Sequence, residues 1–158
     1  VTSFNNPEMI DVAADLRLPC IVSHLPESFG QDIQEAHSVK PVDSVAQVTD
    51  ELLSRRAKMI NAGIKADMIT LDPGIGFGKV PKLNEELLEF AKEVPRINVM
   101  IGYSRKQFLG KDLVEVNGEY VERRMTIERN LEAGRIAVAA GAKYLRVHDV
   151  AGHYELIK

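Results

Sequence analysis

Three short polar segments hold the residue types from which an active site can be built. The first, Asp72-Pro73-Gly74-Ile75-Gly76-Phe77-Gly78-Lys79, sets a carboxylate ahead of three glycines at alternate positions. Such glycines let a backbone turn sharply and bring its amides close to a ligand. A carboxylate can accept two hydrogen bonds from a planar amino-heterocycle. The spacing is neither G-x-G-x-x-G nor a Walker A loop, because Lys79 is followed by Val80. The same residues also suit a plain glycine loop whose turn is held by the Asp. The second segment, Gly102-Tyr103-Ser104-Arg105-Lys106, offers two adjacent cations to an anionic or carbonyl-rich ligand; a solvated basic turn is the alternative. The third is Arg146-Val147-His148-Asp149. On a strand, alternation sends Arg146 and His148 to one side. An inward Arg needs an anion or carboxylate to meet it, so the pair suits a phosphate or diphosphate, and an internal salt bridge to a core acid also fits.

Other groups point to less. His24, His37 and His153 lack metal-ligand spacing among themselves, and no metal site is expected in the chain. Ser104 is expected to have no His nearby and shows no nucleophile-elbow pattern, so a hydrolase triad has no support. The pairs Asp50-Glu51 and Glu85-Glu86 read as solvated helix faces.

The elements that must position these groups alternate. Asn6-Pro7-Glu8 is a helix start, and Met9, Val12, Ala13 and Leu16 follow at helical spacing. Cys20 to Val22 reads as a buried strand, and residues 25–41 as a long loop. A second helix starts at Asp43 or Ser44, presents Val45, Val48, Leu52 and Met59, and ends at Gly63. Met68 to Leu71 is a second strand, and Leu83, Leu87, Leu88 and Ala91 mark a third helix closed before Pro95. Asn98 to Ile101 is a third strand. Residues 110–124, with an Asn-Gly between Val and Tyr, suggest a hairpin. Ile127, Leu131, Gly134 and Val138 mark a fourth helix, ended by Gly141, and Tyr144 to Val147 is a fourth strand. This is an α/β pattern with a parallel sheet. The polar segments fall at strand C-terminal ends, where both (β/α)₈ barrels and doubly wound sheets bind ligands. Four strands cannot close a barrel, which needs about eight strands and about 250 residues.

Composition narrows the partners. The chain of 158 residues carries a net charge of −3 and is 45% hydrophobic and 27% charged, the profile of a single globular domain. Its pI of about 5.8 gives no field for nucleic acid, and no apolar run is long enough to span a membrane. The N-terminal residues show no signal-peptide pattern, and the single cysteine, Cys20, in an apolar run reads as a buried thiol in a reducing, cytoplasmic setting.

LDPGIGFGK, then GYSRK, then RVHDV, in that order and at strand ends, resembles the signature series of the dihydropteroate synthases. The segment from Ile21 to His24 is similar to that family's fifth strand, and VTSFNNPEMIDVAADLRLP to the end of its fourth strand and the following helix. The resemblance covers essentially the whole chain. It implies one pterin-binding domain over residues 1–158, corresponding to the C-terminal half of a TIM barrel. It also implies a reaction in which para-aminobenzoate displaces diphosphate from a dihydropterin diphosphate. By resemblance, Asp72 hydrogen-bonds the pterin, Lys106 contacts it and borders the para-aminobenzoate site, and Phe77 shapes that cleft beside Gly102. Arg146 lies against the ring and, with His148, holds the leaving diphosphate. Lys106, Arg146 and His148 are then the catalytic group.

Two departures bear on ligand and drug response. Gln107 follows the SRK triplet where the family usually has Ser, and Ser23-His24-Leu25 stands where it usually has Met-His-Met. The resemblance places the other pterin carboxylate, the mobile loops and a magnesium-linked Asn in the front half of the barrel. It therefore implies a chain inactive by itself, which self-associates or pairs with its N-terminal half, and a Mg²⁺ requirement that belongs to the full-length enzyme. Two other readings are a methyltetrahydrofolate–corrinoid methyltransferase, opposed by Lys106 within SRK and by the RVHD segment, and a non-catalytic half-barrel remnant.

Overall fold

The computed structural model describes residues 4, 6–26, 42–110, 112–116, 119–123 and 127–158, those between 112 and 123 by backbone alone. Asn6 caps α1 (Pro7–Asp15): its Oδ1 accepts from the Glu8 amide at 2.9 Å, and Pro7 opens the helix. β1 (Cys20–Ser23) follows, with Cys20 buried. The loop expected over residues 25–41 lies, from residue 27 on, outside the described residues, as does His37. Ser44 caps α2 (Val45–Asn61), and Gly63 takes the positive φ that ends it. The chain then runs through β2 (Ile69–Asp72), α3 (Pro81–Glu86), a 3-10 segment (Leu87–Lys92) and β3 (Asn98–Ile101). The expected hairpin is present as β4 (Asp112–Val116) paired antiparallel with β5 (Glu119–Arg123); its Asn117-Gly118 turn is outside the described residues. α4 (Ile127–Ala139), β6 (Tyr144–Leu145) and α5 (Val150–Tyr154) complete the chain.

β1, β2, β3 and β6 form one parallel sheet in that order, with a helix in each connection. Register assigns the two faces. Cys20 pairs with Ile69 and Val22 with Leu71, and this side, continued by Val99 and Ile101, is buried against the helices. Each such side chain contributes about 1.5–3 kcal/mol on burial. The other face carries Ile21, Ser23, Thr70, Asp72, Met100 and Tyr144. It stays open at its ends, where Ile21 is 49% exposed and Tyr144 45%. The sheet does not close: β1 and β6 are its edges, as four strands require. No helix among the described residues is long and apolar enough to cross a membrane.

Three sequence expectations shift. On α1, Ala13 alone of the expected face is buried; Ile10 and Ala14 pack on the core, and Met9, Val12 and Leu16 face outward. On α4 the buried stripe is Ala133, Gly134 and Ala137, with Ile127 exposed. A Cβ on Gly134 would stand 2.6 Å from Tyr103 Oη, so small residues let this helix approach the sheet. The third helix changes to 3-10 winding after Glu86, although Leu83, Leu87, Leu88 and Ala91 are all buried as expected.

Candidate active site

Asp72 ends β2 and is buried at the C-terminal edge of the sheet. Its Oδ1 accepts from the Gly74 amide at 2.8 Å, and its Oδ2 accepts from Ser23 Oγ at 3.0 Å. The Asp does hold its turn, one of the two readings left open for this segment. The glycine loop beyond it runs with Gly74, Gly76 and Gly78 all at positive φ. The Gly76 amide donates to buried Asn84 Oδ1 at 2.6 Å, so α3 fixes the loop from outside.

Lys106 leaves the turn after β3 and donates its ammonium to the Ile75 carbonyl, with Nζ 4.7 Å from the centre of the Phe77 ring. Burial pushes its pKa down to about 8; Asp72 acts upward and Arg146 downward. Arg105 does not share that address. It is exposed in a left-handed backbone conformation, its amide bonded to Asn130 Oδ1 at 3.2 Å. Only one of the two adjacent cations therefore serves the cleft.

The fourth strand ends earlier than expected. Only Tyr144 and Leu145 are registered on β3, so Arg146 and Val147 lie beyond it. Arg146 keeps the ladder's direction because its amide donates to the Ile101 carbonyl at 3.0 Å. Its guanidinium lies over Gly102, where a Cβ would meet Nη2 at 2.6 Å and Nε at 2.9 Å, and Nη2 is 3.9 Å from Asp72 Oδ2. The internal ion pair weighed at the sequence level is thus present, but loose and on a half-exposed Arg, which leaves guanidinium donors free for a ligand. Alternation does not govern His148. Its Nδ1 is 3.0 Å from Ser104 Oγ, and its amide donates to the same oxygen at 3.3 Å. This overturns the expectation that Ser104 has no His nearby: 44 residues separate the two in the chain, and the fold joins them.

Behind the glycine loop lies a group with no sequence signature. Lys79 Nζ donates to Gly74 O at 2.9 Å, Phe77 O at 3.0 Å and His24 Nδ1 at 3.0 Å. An ammonium has no lone pair, so Nδ1 must accept and the proton of neutral His24 rests on Nε2, which donates to Glu51 Oε2 at 3.0 Å. Arg55 of α2 donates to the Leu25 carbonyl at 2.8 Å, binding that helix to the end of β1. Glu51 is therefore not the solvated helix-face charge the sequence suggested. His24 is fully buried, and its pKa is lowered from 6.5 to about 4 by burial first, then by Lys79 and Arg55, against the opposite pull of Glu51. The unfolded chain accordingly binds more protons between those values. Stability is expected to fall as pH drops from about 6.5 to about 4. Thermal midpoints measured across that window should show the slope in the wild type and a flatter one in His24→Gln.

A family model, that of the pterin-binding enzymes, matches residues 1–148. The chain belongs to the pterin-binding enzyme family. Within it, the dihydropteroate synthase of Haemophilus influenzae is 32% identical over 160 residues, covering all of this chain and 55% of that protein. A Thermus thermophilus dihydropteroate synthase in complex with 4-aminobenzoate superposes with a TM-score of 0.77 at 31% identity, over 98% of this chain and 58% of that one. The Xanthomonas albilineans enzyme in complex with 7,8-dihydropteroate gives 0.74 at 30% identity, over 99% and 55%. The four parallel strands alternating with helices match part of the TIM barrel of these pterin-binding relatives. The chain spans about half the length of the curated relatives it matches. Among the described residues, no group of three or more His, Cys, Asp or Glu side chains could hold a metal.

Proposed function

We propose that this chain supplies one side of a dihydropteroate synthase active site, holding the pterin and its diphosphate while 4-aminobenzoate attacks the pterin methylene. The observation that carries the reading is the convergence of Arg146 and Asp72, 3.9 Å apart over Gly102, with Lys106 reaching the adjoining loop at Ile75. The Asp72 carboxylate accepts from the amino-heterocycle. Arg146 covers the ring and, with His148, receives the diphosphate. Lys106 exchanges the Ile75 carbonyl for the pterin, and Phe77 beneath its stem walls the 4-aminobenzoate side. The new C–N bond forms as the methylene C–O bond breaks. The electron pair leaves on the diphosphate, and the amine gives up one proton. Such a displacement is catalysed by positioning and by cations at the leaving group, without a covalent enzyme intermediate. Gln107, at the start of the turn after Lys106, borders the 4-aminobenzoate side and alters its polarity relative to Ser. A folate-pathway role implies a reducing cytoplasmic setting, in keeping with the buried thiol of Cys20.

Calorimetric titration separates the two halves of this assignment. Arg146→Ala is expected to weaken diphosphate binding about tenfold, equivalent to roughly 1.4 kcal/mol. Asp72→Asn removes the carboxylate that competes for Arg146. It should leave diphosphate binding intact or tighter while weakening 7,8-dihydropteroate. Loss of both ligands in Asp72→Asn, or of neither in Arg146→Ala, would overturn the assignment.

A further inference from the structure

The glycine loop presents three carbonyls to two ammonium groups. Lys106 takes Ile75 O from the cleft side, and Lys79 takes Gly74 O and Phe77 O from behind. These holds are not equivalent. In the reading above, which this inference deepens, Lys106 must leave Ile75 to meet the pterin. Lys79 has no such exit. Its third donor is fixed on His24, whose own proton is fixed on Glu51, and the His24 carbonyl lies 2.1 Å from where a Cβ on Gly74 would stand. We propose that Lys79 is a positioning residue: through the Glu51–His24–Lys79 chain it clamps the glycine loop, so that Asp72 and Phe77 keep their places when Lys106 releases Ile75 to the ligand.

Charge supports this geometry. Besides neutral His24, the charged groups acting on Lys79 are Asp72 and Glu51, which favour its ammonium, and Lys106 and Arg55, which oppose it. Burial is the largest influence and lowers its pKa from 10.5 to about 8. The ammonium is therefore held near its titration point by its surroundings. Its hydrogen bonds to the loop and to His24 are what a clamp, rather than a solvated Lys, requires.

The test uses the full chain, with nitrogen-15 spectra of the histidine rings and of the amides of residues 74–78. Lys79→Met is expected to shift the amides of Ile75, Gly76 and Phe77. It should also raise the His24 midpoint above the wild-type value, because a cation that lowers it is gone while Glu51 remains. Affinity for 7,8-dihydropteroate should fall about tenfold, with the loop amides recovered in Lys79→Arg. Unchanged loop amides and an unchanged His24 midpoint in a folded Lys79→Met variant would overturn the clamp. Should that variant fail to fold, wild type and Lys79→Arg decide. The wild-type His24 Nδ1 signal is expected to move as Lys79 titrates near pH 8, and to stay flat in Lys79→Arg, whose guanidinium keeps its proton. A wild-type signal that stays flat across the whole alkaline range in which the chain remains folded overturns the proposal. Failure of the wild type to bind 7,8-dihydropteroate would count against the synthase reading, while the spectra still decide on Lys79.

Discussion

Gly74→Ala is expected to be among the most destabilising single substitutions in the chain, costing roughly 2–6 kcal/mol. Two separate effects add. Gly74 has φ +65°, where a non-glycine residue is strained by about 1–3 kcal/mol. A Cβ there would also stand 2.1 Å from the His24 carbonyl oxygen and 3.0 Å from its carbon, both backbone atoms of the neighbouring strand end. Neither can swing away as a side chain could. The strand end is tied by the His24 amide to Asp72 O at 2.8 Å, and overpacking a fixed wall costs about another 1–3 kcal/mol. Gly63 provides the comparison, since it has φ +102° with nothing within 4 Å of its Cβ position. Gly63→Ala should show backbone strain alone. Urea midpoints of the two variants therefore separate strain from collision. Equal losses would mean that the loop and the end of β1 move apart freely, and that Gly74 is not what seats Asp72.

The ease with which this site can be read from sequence depends on how far apart its partners are in the chain. Asp72, Lys106 and Arg146 are legible because each follows a short apolar strand, and strand C-terminal ends share one edge of a parallel sheet. β3 is found at its observed bounds because Pro95 and Gly102 punctuate it. The Glu51–His24–Lys79 chain is not legible, since its links span 27 and 55 residues and each member looks ordinary alone. The contact between Ser104 and His148, 44 residues apart, is hidden for the same reason. Helix faces fail differently. Helical spacing picks out Ala13 and Gly134 but gives their faces to larger apolar residues as well, whereas α1 and α4 approach the core through Ala13, Ala133, Gly134 and Ala137 and leave Met9, Val12, Leu16 and Ile127 outside. A small residue marks close approach as surely as a large one marks burial, but a hydrophobic pattern does not rank it above its larger neighbours.

The 158-residue chain by itself is expected to form no measurable dihydropteroate, and to form it when mixed with the portion of a relative that it does not match. Its sheet has two open edges; Ile21 on the β1 edge is exposed, as are Met9, Val12, Leu16 and Leu18 before it in the chain. Unpaired strand edges and apolar surface of this kind favour pairing with complementary strands or with a second copy. Light scattering should show association in either case. Activity is expected to require the complementary strands. In the proposed reading, Asp72, Lys106 and Arg146 grip the pterin and its leaving group from one side, and Phe77 walls the attacking amine on that side without holding it. Positioning is worth effective molarities of about 10⁵ M or more when both reactants are held, and that advantage is lost when one is free. An open cleft also admits water, which weakens each cation acting on the diphosphate. Product formation followed by chromatography should therefore appear on mixing and drop by at least about a hundredfold with Lys106→Met, the loss typical of one electrostatic contact. Full activity from the chain alone would sink the shared-barrel reading. Activity on mixing that survives Lys106→Met would keep the family assignment and remove Lys106 from the chemistry.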